Sequence, residues 1–408
     1  MNFFKQLKKT ISRGLHFFSR STVSILQNPK KSASFLSDRL LADALRLAEI
    51  PSPSSREEQR AAFVLERLVS LGAVPWVDED GNVLARIRST RDSDEAPLLL
   101  FADLGSSRWH PQESLTRLDA DTARGAGLGD AFGTAALLSA AEGAVSGHIV
   151  HERDLLFLFT ASSFDDPRTN SFLAVEEQEN RPFAAIGVRG FLLGTLINHT
   201  QGSCRLTIKV AAVHKDHEAE DEADEMKAEE KHPAPVIGAI LSGAAKLSGT
   251  SLDENHSIHC HIRRIEAGTG FGRVPSEGVI ELDLESSDSA ALEEAKNTIA
   301  AVMEEIGAQD ELKSDVFVES FIPAGDPLLN DGLVKKISEI MKELHIKVRE
   351  ENGSDPSAFL SESGIPALSL GISRGQEGLS RDAVEIASIE KGRQLIEAVI
   401  ERVTKELV

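Results

Sequence analysis

Residues 121–141 read DTARGAGLGDAFGTAALLSAA. Three glycines, Gly125, Gly127 and Gly129, lead into one carboxylate, Asp130, and then into the start of a small-residue helix. Glycine lets the backbone turn sharply and come close to another group. A carboxylate in the first helical turn also faces the positive end of the helix dipole. Taken alone, the stretch reads as an Asp N-cap on a buried helix. The segments on either side change that weighting.

APLLLFADLG at 96–105 is an apolar run that ends in a carboxylate, Asp103. DLLFLFTASS at 154–163 and FAAIGVRG at 183–190 are two more such runs. Unbroken apolar strands with a polar residue at the C-terminal end belong to buried parallel sheets. Helices lie between them. Residues 38–72 predict two helices broken by IPSPSS at 50–55, the second with an apolar face at Ala62, Leu65, Leu68 and Val69. A strand, a DEDGN turn at 78–82 and the strand Val83 to Ile87 follow. Strands alternating with helices imply an α/β sheet whose site lies at the strand ends.

From about residue 198 the pattern changes. SCRLTIKV alternates, as a half-buried strand does. A small-residue helix (PVIGAILSGAAKL), the strands HSIHCHIRRIEAG and GVIELDLESS, a helix at 289–306 and the strand DVFVESF complete a β-α-β-β-α-β order. That order predicts a ferredoxin-like α+β insertion. After GDP at 325–327 the α/β pattern resumes with a helix at 332–344, GSDPSAFLSESGIPALSLGI, and a last helix at 389–405. The expected domains are therefore 38–197 with 324–408, and 198–323.

Within the insertion, residues 214–232 hold nine acids against three lysines and read as a solvated loop. Residues 1–37 contain no acid. There Phe3, Phe4, Leu7, Ile11, Leu15 and Phe18 recur at helical spacing among lysines and arginines. That segment lacks the apolar centre and cleavage site of a signal peptide. It suits either an amphipathic helix lying on an anionic membrane surface, through residues 1–33, or a helix docked on the protein itself.

The chain has 408 residues and a net charge of −21, so nucleic acid is not an expected partner. Cys204 and Cys260 are too few for a disulfide framework and fit a reducing, cytoplasmic setting, with peripheral membrane contact left open by residues 1–33. His256, His259 and His261 flank Cys260, but a strand places His259 and His261 on one face and Cys260 on the other. They read as histidines on a wet strand face. His110, in the loop SSRWH, matches no ligand position, and no Gly-x-Ser-x-Gly elbow occurs.

Across residues 40 to 405 these segments resemble the di-zinc exopeptidases and deacylases, a family that includes peptidase T, aminoacylase, acetylornithine deacetylase and succinyl-diaminopimelate desuccinylase. LLLFADLG resembles the family's apolar strand ending His-x-Asp, and GAGLGDAFGTAALL its Gly-rich turn with a metal-bridging Asp. LFTASSF falls where the family has Thr before a Glu-Glu pair. IGVRGFLLGTL resembles a strand whose Asp-Gly supplies a ligand. VAAVHKD resembles a lid strand ending in a His that reaches a partner's site. GSDPSAFLSESGIPALSLGI and DAVEIASIEKG resemble the C-terminal segments, with a zinc-binding His between them. The resemblance implies a mainly parallel α/β sheet flanked by helices, with an inserted lid that dimerises in many members.

The family's chemistry needs a carboxylate shared by two zincs, further His and carboxylate ligands, and a Glu as general base. Carried over position by position, Asp103 retains the orienting role and Asp130 the bridging one. The strand His is Phe101. The general-base and ligand glutamates are Ser163 and Phe164. The Asp of Asp-Gly is Arg189, and the last His is Leu379. In the lid, His214 is retained, while Arg273 and Glu285 stand where the family has Asn and Arg. Two aspartates shorter by one methylene, Asp165 and Asp166, follow the degenerate pair.

Phe and Leu do not coordinate zinc, and Arg repels it. The resemblance with these departures implies a silent homologue that needs no cofactor and acts as a scaffold or regulatory partner, with a homodimer through the lid. The alternative is an active hydrolase of peptides or N-acyl amino acids that holds zinc in an altered site. Arg189 is expected to replace the metal's charge by pairing with Asp130, with Phe101, Phe164 and Leu379 packed around it.

Overall fold

The computed structural model describes residues 29–53, 56–89, 91, 95–106, 115–161, 181–212, 235–249, 258–268, 270, 275–309, 312–353, 355, 357–378 and 381–406. The chain forms two units, Met1–His199 with Asp326–Val408, and Thr200–Gly325. The N-terminal segment before Pro29, the acidic run 214–232, His110 and His256 lie outside the described residues.

The first unit begins with α1 (Pro29–Glu49), α2 (Glu58–Ser70), β1 (Pro75–Val77), β2 (Val83–Ile87) and β3 (Leu98–Asp103). It continues with β4 (Arg117–Leu118), β5 (Thr122–Gly125), α3 (Leu128–Val145), β6 (Leu155–Thr160), β7 (Ala184–Leu193) and β8 (Thr195–Thr200). The boundary expected at residue 37 falls inside α1, whose Leu36 is fully buried.

The second unit holds β9 (Gly202–Ala212), α4 (Pro235–Gly249), β10 (Ile258–Ala267), β11 (Glu277–Ser286), α5 (Ser289–Gln309) and β12 (Leu312–Ile322). The first unit then resumes with α6 (Asp331–Glu343), β13 (Arg349–Gly353), α7 (Ala358–Glu362), β14 (Ala367–Gly371), β15 (Gly375–Gln376), β16 (Asp382–Glu385) and α8 (Ile389–Glu406).

The main sheet has the order β1-β2-β6-β3-β7-β14-β8-β13. Its four central strands, β6, β3, β7 and β14, run parallel. β3 shows why its sequence is apolar without alternation. Leu98, Leu100 and Ala102 pack into the principal core on one face, while Leu99 and Phe101 pack with Leu156, Leu158 and Leu360 on the other. A strand covered on both faces has no wet side to mark with polar residues. A second small sheet, β15-β16-β5-β4, carries the glycine turn into α3.

That turn works differently from the simple capping reading. The residue at the helix N-cap is Gly127, at φ +61°, which has no side chain of its own to cap α3. Asp130 sits three residues further on, still within the first turn. Gly127 is needed for its left-handed backbone. Gly133 is needed for space, because a Cβ there would lie 2.6 Å from the Val188 carbonyl oxygen on β7. From the strand's side, a Cβ on Gly190 would lie 1.9 Å from the Gly129 carbonyl oxygen. The close approach that the glycines permit is therefore α3 against β7, within the protein.

α2 also departs from its predicted face. Its buried residues are Arg60, Ala61, Val64, Leu65, Arg67 and Leu68, so Ala62 and Val69 lie at the margin. Two arginines belong to the inward side. Arg67 bonds Asp43 of α1 and Glu142 of α3, each at 2.9 Å, and Arg39 reaches the second Glu142 oxygen at 3.1 Å. This charged network ties α1, α2 and α3 together.

The second unit is an antiparallel sheet of order β10-β11-β9-β12. With α4 and α5 it has the β-α-β-β-α-β sequence of a ferredoxin-like domain. Leu206, Ile208, Ile280, Leu282 and Leu284 alternate inward to meet Ile240, Ile299 and Met303 of the helices. On β10, His259 and His261 are exposed and Cys260 turns the other way, as a wet strand face requires. Cys204 and Cys260 are both free thiols.

Candidate functional site

The parallel strands deliver polar residues at their C-terminal ends, where α/β sheets carry their sites. Asp103 ends β3, Thr160 ends the neighbouring β6, and Arg189 lies in β7 just past Gly187 and Val188, where its continuous parallel pairing with β3 and β14 stops. Thr160 Oγ1 donates to Asp103 Oδ1 at 2.6 Å, and Thr134 Oγ1 of α3 donates to the Asp103 carbonyl oxygen at 2.6 Å. The Asp103 side chain is thus fixed by its parallel neighbour and its main chain by the helix.

Asp130 stands within electrostatic reach of Asp103 and Asp382, so three carboxylates face a common region. Burial pushes the Asp130 pKa up to about 6, and the two other carboxylates add to the rise. A hydrogen bond from Ser106 and the charge of Arg60 pull against it. Asp382, buried on β16, accepts from the Gly129 amide at 3.0 Å and from the Gly378 amide at 3.4 Å. It therefore stabilises the first turn of α3 beside Asp130. Nothing in the sequence pattern singled out Asp382.

Arg60 is the second residue that the pattern missed. Its side chain is 0% exposed. Nε donates to the Leu47 carbonyl oxygen at 2.9 Å, and Nη1 donates to those of Leu104 and Gly105 at 2.8 and 3.4 Å. Leu104 and Gly105 directly follow Asp103, so Arg60 organises the loop leaving β3. Among the described residues its Nη2 has no hydrogen-bond partner. Burial lowers its pKa to about 10, while Asp130 and Glu57 favour the charged form. An arginine remains protonated at any ordinary pH even so.

Arg189 is an ion-pair residue, and its partner corrects the sequence-based expectation. Nε and Nη2 donate to Asp355 Oδ2 at 3.0 and 2.7 Å. Asp355, whose side chain is 0% exposed, also takes the Ser357 amide on Oδ1 at 2.9 Å. Burial opposes the charge on Arg189, but Asp355, Asp103 and Asp130 together outweigh it and raise the pKa above the ordinary arginine value. Asp130 therefore acts on Arg189 through space, and Asp355 makes the contact. Asp355 lies in GSDPSAFL, and the local signal for it was a carboxylate just before a Pro-Ser turn.

Phe101 is 3% exposed and pairs in register with Gly187 of β7. A Cβ on Gly187 would lie 2.7 Å from its ring, so that glycine makes room for the phenylalanine. Ser163, Phe164, Asp165, Asp166, Leu379, His214 and Arg273 lie outside the described residues. Glu285 is described, on β11 of the second unit, paired in register with His259 and Ser203. Among the described residues no group of three or more His, Cys, Asp or Glu is placed to hold a metal ion.

The fold is shared with solved structures. The aminopeptidase PepT from Bacillus cereus superposes with a TM-score of 0.70 over 90% of this chain and 99% of its own, at 16% identity. A tripeptidase from Staphylococcus aureus gives 0.70 over 91% and 99%, at 18% identity. Bacillus subtilis YXEP, described as a dinuclear metal binding peptidase from the M20 family, gives 0.65 over 91% and 99%, at 16% identity. The fold is that of the di-zinc exopeptidases and deacylases. No protein-family model matches the sequence, and no curated protein matches it either. The zinc exopeptidase fold is thus kept at identities where side-chain chemistry is free to differ. Among the described residues no helix is long and apolar enough to cross a membrane.

Proposed function

We propose that this chain is a zinc exopeptidase-fold homologue that has lost its di-zinc centre and hydrolase activity, and that it serves as a scaffold or regulatory partner. The observation that carries the reading is the cation balance around Asp103 and Asp130. In the family the charge opposite such carboxylates is metal. Here two arginines, Arg60 and Arg189, exert their charge on Asp130. The donor set does not fit two zincs. Phe101, in a ligand position, is packed in apolar core, and Arg189, in another, is ion-paired to Asp355. A cation bound between Asp103 and Asp130 would meet Arg189 as a like charge. Hydrolysis through a zinc pair therefore has no footing in this set of side chains.

The competing reading is a hydrolase of peptides or N-acyl amino acids with an altered metal site. The convergence of Asp103, Asp130 and Asp382 favours it, because carboxylates that repel one another suit a cation. Elemental mass spectrometry on protein expressed with added zinc separates the two. About two zincs per chain overturns the silent reading, and less than about 0.1 overturns the di-metal enzyme. Assay against di- and tripeptides and N-acyl amino acids should give no turnover above background. A cytoplasmic homodimer formed through the second unit, with residues 1–33 resting on an anionic membrane, belongs to the same proposal. Sedimentation analysis and liposome cosedimentation test those two parts.

A further inference from the structure

We infer that the first unit carries a second site, separate from the carboxylate cluster, that binds a small phosphorylated anion. A cavity of about 380 Å³ is lined by Leu192, Leu193, His345, Ile346, Lys347, Arg349, Arg374, Gly375 and Lys391. Four of these are cations at neutral pH, one is a histidine, and none is acidic. The chain as a whole carries 65 acids against 44 lysines and arginines, so a lining of four cations and no acid runs against its composition.

Many arginines elsewhere among the described residues are matched to acids. Arg39, Arg67, Arg86, Arg153, Arg189, Arg393 and Arg402 each have a carboxylate partner. Lys347, Arg349, Arg374 and Lys391 have none among the described residues. Lys391 donates instead to the carbonyl oxygen of His345 at 3.4 Å, across the cavity wall. Four unpaired like charges around one concavity repel each other, and an anion bound among them relieves that repulsion.

The walls are built and fixed. The turn between β7 and β8 is bonded on both sides, Leu193 amide to the Ser373 carbonyl oxygen at 3.0 Å and Arg349 amide to the Gly194 carbonyl oxygen at 2.9 Å. A Cβ on Gly194 would lie 2.3 Å from the Lys347 carbonyl oxygen, so the turn is pressed against the segment that supplies two of the cations. Among the described residues two that are not glycine have positive φ, Leu192 at 63° and His345 at 55°. Both line this cavity. Left-handed backbone at such residues costs energy and gathers at ligand sites.

The chemistry of the lining defines the ligand class. Two guanidinium forks and two ammonium groups suit phosphate oxygens, and Leu192, Leu193 and Ile346 offer an apolar surface to the rest of a small molecule. The size suits a free phosphorylated metabolite. The same phosphate chemistry exists on a lipid headgroup, and the experiment below separates the sources. The cavity lining includes none of Asp103, Asp130 and Asp382.

Inorganic pyrophosphate is the probe, titrated calorimetrically into the full chain against potassium chloride of matched ionic strength. Saturable binding at one site is expected in the wild type. Arg374→Glu with Lys391→Glu should weaken it at least about tenfold. Lys335→Glu, on the exposed side of α6, changes net charge outside the cavity and should leave binding unchanged. Circular dichroism of each variant shows that the fold is retained. Arg374→Gln with Lys391→Gln, a milder pair, should give the same loss if the reversals fail to fold. No binding beyond the chloride control overturns the inference, as does equal loss in Lys335→Glu. Capture on phosphoinositide vesicles without pyrophosphate binding overturns it in favour of a lipid site.

Discussion

Arg189 donates from two of its nitrogens, Nε at 3.0 Å and Nη2 at 2.7 Å, to a single oxygen of Asp355. The other Asp355 oxygen is committed to the Ser357 amide, so the carboxylate is held by β7 on one side and by its own turn on the other. The Arg189 side chain is 40% exposed while that of Asp355 is 0% exposed. The pair is therefore asymmetric, and the energetics of breaking it depend on which end is removed.

Removing the arginine leaves a buried carboxylate with one amide partner. Breaking a buried pair from one side costs about 3–5 kcal/mol, and the exposure of Arg189 reduces that, so Arg189→Ala should lose about 2–3 kcal/mol in urea unfolding. Asp355→Asn keeps an acceptor for the Ser357 amide and leaves only a solvent-reachable cation, so its loss should be smaller. Equal stability of Arg189→Ala and wild type would show that the pair contributes nothing.

The zinc exopeptidase fold was legible where the physics is local. Apolar runs gave β3, β6 and β7, and alternation gave β9 and β11, because strand burial writes its period directly into the sequence. Asp103 and Asp130 were legible because they sit at strand and helix termini. Arg60, Asp355 and Asp382 were not. Each acts on a residue distant in sequence, Asp382 on Gly129 and Arg60 on Leu104, and no periodicity encodes such a contact. The Arg189 expectation went to the wrong partner for the same reason: a strand-end cation can be placed from sequence, but the carboxylate it meets is set by a loop more than a hundred residues away. β4, β5, β15 and β16 were missed because strands this short carry too few residues to show a period.

Asp130 predicts a pH dependence for the metal-free protein. Its pKa is about 6 folded and about 3.8 in the unfolded chain. Between those values the native state holds the proton more tightly, so this group's contribution to stability falls as pH rises through that window and is constant above it. The difference corresponds to about 2–3 kcal/mol. With chelator present, Asp130→Asn should match wild type near pH 4 and exceed it above pH 7, as read by urea midpoints across the range. A variant less stable than wild type above pH 7 would mean that the charged carboxylate is favoured there, as a bound cation would favour it.

Gly133 lies in a helix, where alanine is ordinarily preferred by about 1 kcal/mol. A Cβ at this position would sit 2.6 Å from a backbone oxygen of β7, and backbone cannot swing aside as a flexible side chain does. Gly133→Ala should therefore lower the melting temperature clearly, against its helix propensity. Stabilisation instead would mean that α3 is free to lift from the sheet.

Arg60 and Asp130 should behave as a coupled pair. Arg60 is buried completely and bonds the carbonyl oxygens of Leu47 and Leu104. Arg60→Met keeps most of the length of the side chain and removes the donors, leaving those acceptors without their partner. Each such orphan costs about 1–3 kcal/mol, so a total loss of about 2–4 kcal/mol is expected at neutral pH. Part of that loss comes from Asp130, which would face Asp103 and Asp382 without the nearby cation. Neutralising it should recover this part. In a double-mutant cycle, Arg60→Met should cost less by about 1 kcal/mol when made on Asp130→Asn than on wild type. Full additivity would show that Arg60 serves only the backbone of the β3 loop, and that the charge balance proposed for Asp103 and Asp130 rests on Arg189 alone.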